Sequence, residues 1–137
     1  MKKVIHIEDS FNWQNNVHMA LTSSKSGIDA AVYGSIEGFR KANYPSADLY
    51  VCDRHLPDKL GLDPNDYSWK QILDTINCLH PNMKVPIVIL SSKPPRDWRR
   101  YPNVVDAIQK TADYSDFDIR AFRDKIEFYL GSAGGSK

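Results

Sequence analysis

Five short apolar runs, spaced by stretches with helical periodicity, constrain this chain more than any other feature. Val4 to Ile7, Ile28 to Tyr33, Leu49 to Cys52, Val85 to Leu90 and Val104 to Ile108 each have the length and side chains of a buried strand. Between the first two, Trp13, Val17, Ala20 and Leu21 share one helical face, with Asp9 or Ser10 placed to cap it. Ser35 caps a short helix through Phe39, and Asn43-Tyr44-Pro45 breaks the chain before the third run. Trp69, Ile72, Leu73, Ile76 and Leu79 mark a helix that stops before His80-Pro81, and Ile119, Phe122, Ile126, Tyr129 and Leu130 line a last one. Only Lys93 to Pro102, with three prolines, reads as a poor helix. Parallel strands need long crossovers, and helices are what fill them. The pattern therefore predicts a doubly wound, five-stranded parallel α/β sheet with helices on both faces.

Four of these strands end in reactive groups. Ile7 leads into Glu8-Asp9, Cys52 into Asp53, Leu90 into Ser91, and Ile108 into Gln109-Lys110. In an open parallel sheet ligands bind in the crevice beyond the carboxyl ends of the strands, so these four ends form a candidate site. Three carboxylates gathered there repel one another unless a divalent cation intervenes. Magnesium suits the set, because it takes a few carboxylates, keeps several waters and accepts phosphate oxygen in their place. Asp53 is then the candidate nucleophile, Ser91 a hydrogen-bond donor to a transferred phosphoryl group, and Lys110 the balancing positive charge. Taken singly, each residue has a plainer explanation. Adjacent acids before a helix serve as cap and dipole partners, a strand-end aspartate shapes a turn, and most lysines are simply solvated. Their conjunction at four strand ends is what points to chemistry.

Composition sets the surrounding limits. At 137 residues the chain fits one domain, 3–130, and Gly131 to Lys137 reads as a flexible tail, a linker stub or a cloning remnant. With 42% hydrophobic and 26% charged residues it has the make-up of a water-soluble protein, and no apolar stretch approaches a membrane span. The start turns acidic too soon for a secretory signal, so a cytoplasmic protein is expected. Cys52 and Cys78 show no paired or metal-ligand spacing, and His6, His18, His55 and His80 show no zinc pattern. A net charge of +1 gives no general pull toward nucleic acid.

The strand-end residues, together with Asp53-Arg54-His55-Leu56-Pro57-Asp58-Lys59-Leu60-Gly61-Leu62, resemble the receiver domain of two-component response regulators over Val4 to about Leu130. In that family a proline four residues and a glycine eight residues after the phosphoacceptor shape the following loop, as Pro57 and Gly61 do here. The resemblance implies a phosphorylatable switch rather than an enzyme, with self-phosphorylation and dephosphorylation chemistry at most. It implies that Asp53 takes phosphate from the phosphohistidine of a histidine kinase or histidine phosphotransfer protein. It implies further that Glu8, Asp9, Asp53 and the backbone carbonyl of His55 ligate magnesium, and that Ser91 and Lys110 contact the phosphate.

The chain also departs from the family pattern. Ala107 stands where an aromatic or histidine usually precedes the lysine by three, Thr111 replaces a usual proline, and Ser92 replaces a small residue. A pseudo-receiver that binds partners without phosphorylation is therefore the alternative reading. A flavodoxin-like cofactor enzyme fits less well, since Glu8-Asp9 repel phosphate where that fold needs a Gly-, Ser- or Thr-rich loop. Lys93, Arg96, Arg99 and Arg100, interleaved with Trp98 and Tyr101, form a basic-aromatic patch that is either a solvated face or a docking surface for an acidic protein. So short a patch neutralises few phosphates, and no direct contact with nucleic acid is expected.

Overall fold

The structure, a computed structural model, describes residues 1–23, 27–54, 68–81 and 85–133. Its elements are β1 (Lys2–Ile7), α1 (Phe11–Thr22), β2 (Ile28–Tyr33), α2 (Ile36–Lys41), β3 (Leu49–Cys52), α3 (Ser68–Leu79), β4 (Ile87–Ser91), β5 (Val104–Gln109) and α4 (Ile119–Ala133). The strands form one parallel sheet in the order β2-β1-β3-β4-β5. That order places β1 and β3 side by side, with Ile7 opposite Cys52, so Glu8 and Asp53 emerge together at the same edge.

Alternation along the strands builds two cores. Ile5, Ile7, Tyr50, Cys52, Ile87 and Ile89 face Phe39 of α2 and Ile72, Leu73 and Ile76 of α3. Val4, Leu49, Val51, Val88 and Leu90 face Trp13, Val17 and Leu21 of α1 and Phe122, Ile126 and Leu130 of α4. Central β3 and β4 are buried at every residue, whereas the edge strands β2 and β5 alternate with exposed positions. Ser35 caps α2 by accepting from the Gly38 amide at 3.1 Å. Ser10 is the N-cap residue of α1, but its side chain makes no capping bond.

The boundaries shift where backbone chemistry overrides hydrophobicity. β4 begins at Ile87 rather than Val85, because Pro86 has no N–H for the ladder, although both residues are buried. Between Ser92 and Asn103 the only helical turn is a 3-10 turn at Trp98–Arg100, as the prolines require. At the other end the backbone of α4 continues through Gly131 to Ala133, past the point where the small residues suggested a tail.

Candidate functional site

The β1 edge supplies two acids with different surroundings. Glu8 is fully buried, and its Oε2 accepts from the Ser10 amide at 3.2 Å. Asp9 is exposed at the mouth. Asp53, 6% exposed, follows β3, and its backbone amide donates to Ile7 O at 3.1 Å. One carboxylate oxygen from each of Glu8, Asp9 and Asp53 can be chosen so that all lie within 4.8 Å of one another. Ser91 is fully buried as the last residue of β4, with its Oγ accepting from the Lys93 amide at 3.3 Å, while Ser92 is exposed. The Lys110 amide donates to Ser91 O at 2.9 Å, locking the end of β5 to the end of β4. His55, Pro57 and Gly61 lie outside the described residues.

Lys110 joins the acids. Its Nζ donates to Asp53 Oδ2 at 2.9 Å and forms an ion pair with Glu8 Oε1 at 2.7 Å. Burial pulls the ammonium toward deprotonation, but Glu8 and Asp53 more than offset this and leave its pKa above that of an ordinary lysine. Glu8 moves in the same direction for a different reason. Burial first, and the Asp53 charge second, raise its carboxyl pKa against the opposing pull of Lys110. One ammonium thus incompletely balances three clustered carboxylates. A hard divalent cation would meet that deficit with the oxygen donors it prefers, so the residues present fit such an ion.

Two neighbours of the site escaped the sequence reading. Trp13, 8% exposed, presents its ring 5.3 Å from Lys110 Nζ and packs edge-on against Phe117 at 4.9 Å. The available signal was spacing, since Trp13 follows Asp9 by one helical turn and α-helical side chains lean toward the N-terminus. His6 is 2% exposed, with neither ring nitrogen hydrogen-bonded, and its Nε2 lies 3.9 Å from Glu8 Oε1. Burial, reinforced by Lys110, lowers its pKa to about 3, so the ring is neutral. No sequence signal separates it from an ordinary strand residue.

Known proteins of this shape carry the comparison further than sequence does. No protein-family model matches the chain, and no curated protein matches it by sequence. By structure, it superposes on the phosphorylated cyanobacterial phytochrome response regulator RcpA with a TM-score of 0.71, covering 96% of each chain at 23% identity. This is the receiver-domain fold. The Mn2+-bound response regulator Rcp1 has the same fold with a TM-score of 0.70, 19% identity and 96% of each chain covered. A CheY-like receiver domain protein from Methanospirillum hungatei gives 0.73 at 15% identity, over 98% of this chain and 97% of its own. At these identities the likeness establishes the fold. Within that receiver fold, the described residues of this chain carry an acidic cluster at the strand ends, and no described helix is long and apolar enough to cross a membrane.

Proposed function

We propose that this chain is a cytoplasmic phosphoacceptor switch, a regulatory domain rather than an enzyme, that takes a phosphoryl group from a histidine kinase or a histidine phosphotransfer protein. The observation that carries the reading is the juxtaposition of Glu8, Asp9 and Asp53 within 4.8 Å, with Lys110 bound to two of them. An Asp53 carboxylate oxygen attacks phosphorus as the phosphorus–nitrogen bond of phosphohistidine breaks, and the imidazole leaves with the electron pair. Lys110 moves from balancing two carboxylates to balancing phosphoryl oxygens, and the Ser91 hydroxyl donates to one of them. Glu8, Asp9, Asp53 and the His55 carbonyl are the proposed magnesium ligands, and the cation supplies charge neutralisation for an anionic nucleophile. The basic segment from Lys93 to Tyr101 offers a charged surface to a protein partner.

The test is incubation with a small phosphodonor and magnesium, read by intact-mass spectrometry. A single phosphoryl adduct is expected, lost on removing magnesium and lost in Asp53→Asn. An adduct that persists in Asp53→Asn refutes the assignment. The pseudo-receiver reading is favoured by Ala107 and by the absence of an α-helix between Ser92 and Asn103. A wild-type protein that never acquires the adduct would decide for it.

A further inference from the structure

The basic-aromatic patch divides into two surfaces. Trp98 and Tyr101 are half-buried against the core that faces α2 and α3, and Arg99 lies over the Trp98 ring at 4.5 Å. Lys93 and Arg96 instead join Arg54, from the end of β3, in lining a groove of about 580 Å³ walled by Pro94 and Pro95. Among the described residues, Asp97 is the one acid on its lining. Lys93 and Arg96 are exposed, and among the described residues neither has an ion-pair partner.

The groove is anchored to the site residues. Arg54 directly follows Asp53, and its Nη1 donates to Lys93 O at 2.9 Å. The Lys93 amide donates to Ser91 Oγ at 3.3 Å, and Gln109, next to Lys110, donates from Nε2 to Ser92 O at 3.4 Å. A segment seated here is therefore held beside the mouth of the strand-end site.

We propose that this groove docks an acidic peptide segment of a partner protein. Its exposed cations, Lys93 and Arg96, sit on long side chains, which read carboxylates on another protein's surface; a small anion calls for convergent, preorganised donors instead. Pro94 and Pro95 keep the wall rigid and present no N–H, so recognition falls to side-chain charge and not to strand addition. The three cations are too few, on a chain of net charge +1, for polyanionic nucleic acid.

The probe is a fluorescein-labelled eight-residue peptide alternating Glu and Gly, titrated at low salt and followed by anisotropy. Its Gln counterpart and a short single-stranded oligonucleotide serve as comparisons. Saturable binding is expected, roughly tenfold tighter than for the Gln peptide and weakened about tenfold by Lys93→Gln with Arg96→Gln, as rim charges acting together allow. The remote pair Arg40→Gln with Lys41→Gln should leave it unchanged. Absence of binding, equal loss in the remote variant, or tighter binding of the oligonucleotide overturns the proposal. The protein carries no phosphoryl group in this titration, so a failure here is distinct from a failure of Asp53 to accept phosphate.

Discussion

Replacing Lys110 with methionine removes an ammonium held 2.7 Å from Glu8 Oε1 and 2.9 Å from Asp53 Oδ2, while keeping most of the side chain's bulk. All three side chains are 8% exposed or less. Taking one partner from a buried ion pair costs about 3–5 kcal/mol, because a desolvated charge is left without its counterion. Glu8 recovers part of that cost by binding a proton, which burial and Asp53 already favour. A net loss of about 2–4 kcal/mol near neutral pH follows, equivalent to a fall in Tm of roughly 10 °C for a domain of this size. The dependence on pH has a definite sign. A carboxyl whose pKa is raised by folding binds more protons in the folded than in the unfolded state, so its contribution to stability falls as pH rises above the ordinary glutamate value. Without Lys110 the rise in the Glu8 pKa is larger; because the wild-type carboxyl is itself raised to about 9, the gap to wild type should widen only as that group ionises, between about pH 7.5 and 9.5. Millimolar magnesium should narrow the gap at the higher pH by replacing the lost positive charge. Thermal and urea denaturation at both pH values measure it. Equal stability at the higher pH, or a gap independent of pH, would refute the charge-balance argument.

Three further outcomes are expected. His6, with its pKa lowered from 6.5 to about 3, binds protons more readily when unfolded, so its contribution is present above pH 6.5 and is lost as pH falls; His6→Leu should remove about 2 kcal/mol of the acid sensitivity at pH 5, and identical urea midpoint shifts in both proteins would contradict this. Tyr129 OH donates to Asp106 Oδ2 at 2.6 Å, so Tyr129→Phe should cost about 1 kcal/mol in urea denaturation, with no loss counting against a net contribution from that bond. Because the Trp13 ring lies 5.3 Å from Lys110 Nζ, a protein with Trp13 as its sole tryptophan, made by Trp69→Phe and Trp98→Phe, should change emission on adding magnesium. Glu8→Gln with Asp9→Asn should suppress the change, and an unaltered titration would place the metal elsewhere.

Hydrophobic period and turn chemistry by themselves determined most of the architecture. Residues repeating every second position must face one side of a sheet, and those repeating at helical spacing must cover it, so the two cores and the reactive strand ends were legible from local pattern. The cap at Ser35 and the failure of an α-helix to form among the prolines after Ser92 are likewise local consequences of side-chain and backbone chemistry. Tertiary structure decided what depends on contacts between distant segments. It brought Trp13 to Lys110, left His6 buried without a hydrogen-bond partner, and paired one lysine with two acids that lie 102 and 57 residues away in sequence. It also split the basic patch, turning Trp98 and Tyr101 into core packing while Lys93 and Arg96 met Arg54 across a groove. Charge, burial and solvent access belong to a position in space, and a one-dimensional pattern carries no record of which remote side chains fill the space around it.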